Sequence, residues 1–175
     1  MTETNVEAFV KFLIRLSDEE NLGALAALRR GLGQRPGEAP GMFPYIVPFL
    51  PGNPTRDQEN AYYLVASLFA FHPKNYGQGN LGNHLAGCIE NTSDKEAVER
   101  RFVALLNCHI DDLADTLRQS ISYLKSKEKP VNYQQLLSDL LLWSHRDRIV
   151  QRRWATGFWG RNVELAANGT NSNIQ

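Results

Sequence analysis

The chain of 175 residues is poor in the features by which a sequence announces its chemistry. Its two cysteines, Cys88 and Cys108, are too few and too unpatterned for a disulfide framework, and free thiols of this kind are commonly buried core residues. No apolar run approaches the ~20 residues of a membrane helix. The longest, Leu64 to Phe71, is interrupted by Ser67. The opening MTETNVEAF has no basic segment followed by an apolar one and a cleavage site, so no secretory signal is predicted and the expected location is cytoplasmic. An excess of charge is missing too. Nineteen Lys and Arg balance nineteen Asp and Glu, which argues against a protein that coats nucleic acid through bulk positive charge.

Catalytic signatures are equally scarce. The sequence has no GxxxxGK[ST] loop for phosphates, no GxGxxG after a strand, no HExxH and no GxSxG. None of His72, His84, His109 and His145 has an arginine four to six residues upstream, the spacing that helical ribonucleases use. The nearest approach to a metal set is His84 and Cys88, one helical turn apart, joined by Cys108 and His109. Adjacent helical residues diverge by about 100°, a poor match to a tetrahedral zinc site, so the four read as core thiols and capping or solvent-facing histidines. Asp111, Asp112 and Asp115 read as helix-start charges rather than as a two-metal site. No enzyme activity, metal or cofactor is expected.

What the sequence does contain is helical periodicity. Val6, Phe9, Val10, Leu13 and Ile14 mark one apolar face over residues 5–16, and Leu22, Leu25, Ala26 and Leu32 another over 20–32, stopped by Pro36, Gly37 and Pro40. Pro44 and Pro48 restrict Met42 to Leu50 to short turns. Asn53 followed by Pro54 predicts the start of a long helix that His72-Pro73 ends. The polar loop from Lys74 to Gly79 is the expected boundary between halves. A short helix over Leu81 to Ile89 follows, then one opened by Ser93 and Glu96 and ending near Asn107. Further helices are predicted over Asp111 to Ser126, from an Asn132 cap toward Trp143, and from about Arg146 to Trp159. No segment shows the two-residue alternation of a strand. The expected class is all-α, a bundle of about eight to nine helices or two packed sub-bundles, divided into residues 1–76, 77–160 and a flexible tail 161–175.

The neutral total hides an uneven distribution. Glu90 to Asp115 holds seven acids and three bases, whereas Arg118 to Arg161 holds nine bases and three acids. Helical geometry sets Arg100 opposite the apolar face centred on Phe102, with Arg101 on its flank. Arg30 lies on the flank of the second helix, while Arg29 falls inside its apolar arc and is expected to be buried and paired. Arg118 and Lys125 share one stripe, and Arg148 and Arg152 share the face opposite Trp154. Such stripes suit phosphate, which guanidinium forks bind bidentately. They equally suit acidic protein surfaces, the function of a purely structural adaptor.

LRRGLG at 28–33, MFPYIVPFL at 42–50, SLFAFHP at 67–73, NLGNHLA at 80–86, VERRFVALL at 98–106, LRQSISYLKS at 117–126, PVNYQQLLSDLLLW at 130–143 and RWATGFWG at 153–160 together resemble the CasB family, the small subunit of the type I-E CRISPR effector Cascade. The resemblance implies a helical, non-catalytic subunit present as a head-to-tail pair. Its implied partners are the guide RNA, target DNA and displaced strand of an R-loop, with the backbone and large subunits of the complex. Residue by residue, it assigns nucleic-acid contact to Arg30, Arg100, Arg101, Arg118, Arg146 and Arg148, and to Arg29 either that role or a structural one. Lys125 and Arg152 join them from the stripes. Gln119 and Asn107 stand where relatives often carry bases, and neither can pair with phosphate as a cation does.

Overall fold

In a computed structural model that describes residues 2–169, with side chains over 5–160, the chain is all-helical, as the periodicity predicts. Nine α-helices occur among the described residues: α1 Thr2–Asp18, α2 Leu22–Arg29, α3 Phe43–Ile46, α4 Arg56–Phe71, α5 Leu81–Ala86, α6 Thr92–Asn107, α7 Leu113–Ser126, α8 Tyr133–Leu140 and α9 Ile149–Gly169. Single 3₁₀ turns at Pro40–Met42 and Val47–Phe49 flank α3, where proline limits helix length, and a third at Ile110–Asp112 leads into α7.

Helix α4 is the axis of the fold. Nearly every side chain from Ala61 to Ala70 is buried, including the polar Ser67, whose hydroxyl donates to the Tyr63 carbonyl one turn earlier at 2.9 Å. A helix apolar on all sides must be enclosed, and α4 packs against α1, α2, α3, α7 and α8. Phe9 of α1 sits on Tyr62 with ring centres 5.0 Å apart, and Phe69 meets Tyr133 of α8 edge-on at 5.2 Å. Each such fully buried aromatic is a large share of stability, since truncation to alanine typically costs 3–5 kcal/mol.

The second centre of packing is the crossing of α5 and α9. Gly82 is essential to it, because a Cβ there would lie 2.0 Å from the Trp154 carbonyl oxygen. The side-chain amides of Asn80 and Asn83 then donate to the carbonyls of Arg153 and Gly157 at 3.1 and 3.0 Å, tying the start of α5 to the backbone of α9. Beneath them Phe102 stacks on Phe158, 4.3 Å between centres. Asp139, fully buried, holds α8 to α9 by accepting from Trp154 Nε1 at 2.6 Å, Arg153 at 2.9 Å and Gln135 at 2.9 Å.

Several element ends differ from the expected ones. The cap of α4 is Thr55, in a reciprocal box with Gln58, rather than Asn53 with Pro54. Asn91 caps α6 by accepting from Asp94 N at 2.9 Å, two residues before Ser93. Asn132 caps α8 as predicted. The last helix begins at Ile149 and continues past Trp159 to Gly169, into the stretch expected to be a flexible tail. The remainder of that tail, and the side chain of Arg161, lie outside the described residues.

Candidate nucleic-acid interface

The site grows from the C-terminal end of α4. A helix leaves its last four carbonyls without intrahelical partners, and their dipoles sum to a partial negative charge. Three neighbouring elements answer this end. Arg29 of α2 donates from Nε to the Ala70 carbonyl at 3.0 Å. Lys125 of α7 donates from Nζ to the Phe71 carbonyl at 2.8 Å, with its ammonium 4.1 Å from the Phe71 ring centre. Tyr133 of α8 donates its hydroxyl to the carbonyls of His72 at 2.6 Å and Leu68 at 3.2 Å. His72, itself buried, bonds the Lys129 carbonyl at 2.8 Å, and burial, together with the ammonium groups of Lys125 and Lys74, holds its imidazole below the ordinary value.

Arg29 is therefore exposed, not buried as its place in the apolar arc suggested. The reason is that α2 ends at Arg29, so no further turn packs over it, and its side chain reaches out to α4. The expected pairing exists, but with a carbonyl rather than a carboxylate.

Beside this cap, Arg101 of α6 and Arg118 of α7 line one open concavity of about 700 Å³, with Leu32, Phe71, Gln119, Ser122, Tyr123 and Ser126. Arg101 lies over the Tyr123 ring, its guanidinium carbon 4.9 Å from the centre, which fixes the fork without consuming its donors. Arg118 is half-exposed and has a loose partner in Asp115 at 3.8 Å. Gly33, in the left-handed region at φ 78°, lets the Arg118 guanidinium pass close, since a Cβ there would stand 3.1 Å from Nη1. Gln119 faces the same concavity. Thus two of the sequence-predicted arginines come from different helices to one surface, and Lys125 adjoins it through Phe71.

The other basic residues are dispersed. Arg30, Arg100 and Arg152 are exposed and have no ion-pair partner among the described residues. Arg146 is 91% exposed and lies 3.6 Å from Asp147. Arg148 departs from the helical stripe expected for it. It precedes α9 in the left-handed region at φ 50° and donates to the Leu106 carbonyl near the C-terminal end of α6. The cause is local: His145 takes the Asp147 amide on Nδ1 at 3.2 Å and the Arg148 amide on its carbonyl at 2.9 Å, a turn that delays the helix to Ile149.

No group of three or more His, Cys, Asp or Glu among the described residues is arranged to hold a metal ion. Cys88 is buried in α5's shadow, its thiol pushed up to about 11 chiefly by burial. His84 is buried with both ring nitrogens lacking a well-aligned partner. Burial lowers it to about 4, and a poorly aligned backbone contact with Gln78 offsets only part of that. Among the described residues no helix is long and apolar enough to cross a membrane.

The described residues form an all-helical core that carries the Arg101 and Arg118 guanidinium groups on an open surface. A family model described as CRISPR-associated protein Cse2 matches residues 24–159, and the chain belongs to that family. It is 38% identical over 157 residues to the CRISPR-associated protein Cse2 of Thermus thermophilus, covering 88% of this chain and 89% of that protein. The crystal structure of CasB from Thermus thermophilus matches with a TM-score of 0.78 at 35% identity, over 89% of this chain and 97% of that one. A chain of a CRISPR RNA-guided surveillance complex matches with a TM-score of 0.78 at 26% identity, over 98% of this chain and all of the other. The family read from the motif order agrees with these matches.

Proposed function

We propose that this chain is a non-catalytic small subunit of a CRISPR RNA-guided surveillance complex, acting in the cytoplasm in antiviral defence. It holds guide RNA, target DNA and the displaced strand by their phosphates, alongside the backbone and large subunits and a second copy of itself. The observation that carries this reading is the meeting of Arg101 and Arg118 across one concavity. Two forks on a shallow surface can follow a phosphate backbone, and they offer no base-reading pocket. That suits an assembly in which guide pairing reads the sequence and protein contacts stabilise the opened strands. Zero net charge fits a subunit whose neighbours supply part of the attracting field.

The test is Arg101→Ala with Arg118→Ala in the assembled complex, measuring R-loop retention against salt. Each lost phosphate contact should lower the salt slope by about one unit. An unchanged slope and retention would refute phosphate binding at this concavity. Loss of subunit from the purified complex with no change for bare nucleic acid would instead identify a protein-binding adaptor.

A further inference from the structure

The most exposed aromatic ring among the described residues, Tyr76 at 72%, has no place in the core, in any ring pair or in any side-chain hydrogen bond there. It is also one of four non-glycine residues with positive φ among the described residues, at 75°, a conformation that side chains adopt only when the surrounding structure imposes it. That imposition is visible on both sides. One residue pair before it, the Lys74 carbonyl accepts from Val131 N at 2.9 Å. Immediately after it, Gly77 is packed so closely that a Cβ would lie 2.8 Å from Asn132 N, Val131 C and His84 Nε2. The segment is a pinned arch rather than a loose loop, and the ring at its crest is held out into solvent.

The surroundings of that ring narrow its partner. No carboxylate occurs between Glu59 and Glu90. The arch carries Lys74 and the amides of Asn75 and Gln78 instead, and Lys74 and Lys125 both lie near enough to His72 to act on its charge. An exposed aromatic ring on a segment that carries an ammonium group and amides, and no carboxylate of its own, is the chemistry that binds unpaired nucleotides. Bases stack on the ring, cations meet the phosphates and amides reach base edges.

We propose that Tyr76 is a stacking platform for an unpaired base, extending the phosphate-binding surface from Lys125 around His72 to the arch. The proposal rests on the nucleic-acid reading above, and its test separates the two. Complexes assembled with wild-type, Tyr76→Ala, Tyr76→Phe and Tyr76→Gly chains are challenged with target DNA carrying 2-aminopurine at successive positions of the displaced strand. Stacking predicts quenching at one position with Tyr and Phe and its loss with Ala and Gly. It also predicts an R-loop lifetime about fivefold or more shorter in the latter two, the low end of what one base–aromatic stack contributes. Tyr76→Gly also relieves the backbone, so the free chain should melt about 2 °C higher while binding is lost, which excludes misfolding as the cause.

Unchanged quenching and lifetime in Tyr76→Ala overturn the platform, and a loss in Tyr76→Phe equal to that in Ala overturns stacking as its basis. Failure of the Tyr76→Ala complex to assemble assigns the ring to a protein neighbour and overturns it as well. If Arg101→Ala with Arg118→Ala shortens the R-loop lifetime and Tyr76→Ala does not, only the platform falls. If neither does, the nucleic-acid reading falls with it.

Discussion

Lys125 donates to the carbonyl of Phe71 and covers the same residue's ring, so one side chain closes the end of α4 by both its dipole and its aromatic face. This relationship divides the basic residues into two kinds. Arg29, Lys125 and Arg148 spend donors on helix C-terminal carbonyls, whereas Arg101 and Arg118 present theirs to solvent across a concavity. A cation engaged by a carbonyl has fewer donors to offer a phosphate, and its loss is felt first in the fold.

Lys125→Met keeps the aliphatic stem over Phe71 and removes the ammonium. The expected result is a loss of about 1 kcal/mol in urea unfolding of the free chain, from one charge-assisted hydrogen bond at a helix terminus. Arg118→Met should change stability by less than about half of that, because its ion-pair partner among the described residues, Asp115, is largely exposed and 3.8 Å away. The order should reverse in the salt dependence of R-loop retention. Equal effects of the two substitutions on stability would refute the division.

Acid sensitivity should trace to His84. Its folded value, about 4, lies below the ordinary 6.5 because the imidazole is buried. The neutral ring is what the fold accepts, so its contribution is fully present above pH 6.5 and is lost as pH falls toward 4. That window corresponds to about 3 kcal/mol. Asp139 acts in the opposite sense. Burial raises its carboxyl despite the donors of Trp154, Gln135 and Arg153, so it favours the fold as pH falls and offsets part of the loss. Urea midpoints at pH 7 and pH 4.5 should therefore fall for the wild type and fall much less for His84→Leu. Since neither ring nitrogen has a well-aligned partner, that substitution should cost little at pH 7. An acid loss as steep in the variant as in the wild type would remove His84 from this role.

The sequence's periodicity carried the architecture because burial is periodic in a helix. Leu113, Leu117, Ile121 and Leu124 of α7 are all buried, as are Val6, Phe9, Val10 and Leu13 of α1. Helix ends were less legible, since Asn53 and Thr55, or Asn91 and Ser93, are all competent caps and only the packing of the following turn chooses between them. The site was legible residue by residue but not as a surface. What places Arg101 beside Arg118 is the contact of α6 with α7, and what admits Arg118 is the left-handed turn at Gly33. Neither has a local signal. Tyr76 was missed for the same reason: nothing in its spacing reveals that Gly77 is clamped and that the ring must therefore project.

Arg148 offers the sharpest separation of backbone from side chain. Its φ of 50° is a cost borne by any residue with a Cβ, and its guanidinium returns stability by capping the Leu106 carbonyl. Arg148→Ala removes the cap and keeps the strain, whereas Arg148→Gly removes both. The glycine variant should therefore be the more stable of the two by about 1 kcal/mol, the direction in which glycine is also favoured over alanine at the residue before a helix. Thermal melts of the free chain decide it, with wild type and glycine expected within a few degrees and alanine below both. If alanine is the more stable, the left-handed conformation is not retained. Arg148 would then belong on the face of α9 with Arg152, where the sequence first placed it, and its substitution should act on the salt dependence of R-loop retention rather than on the melt.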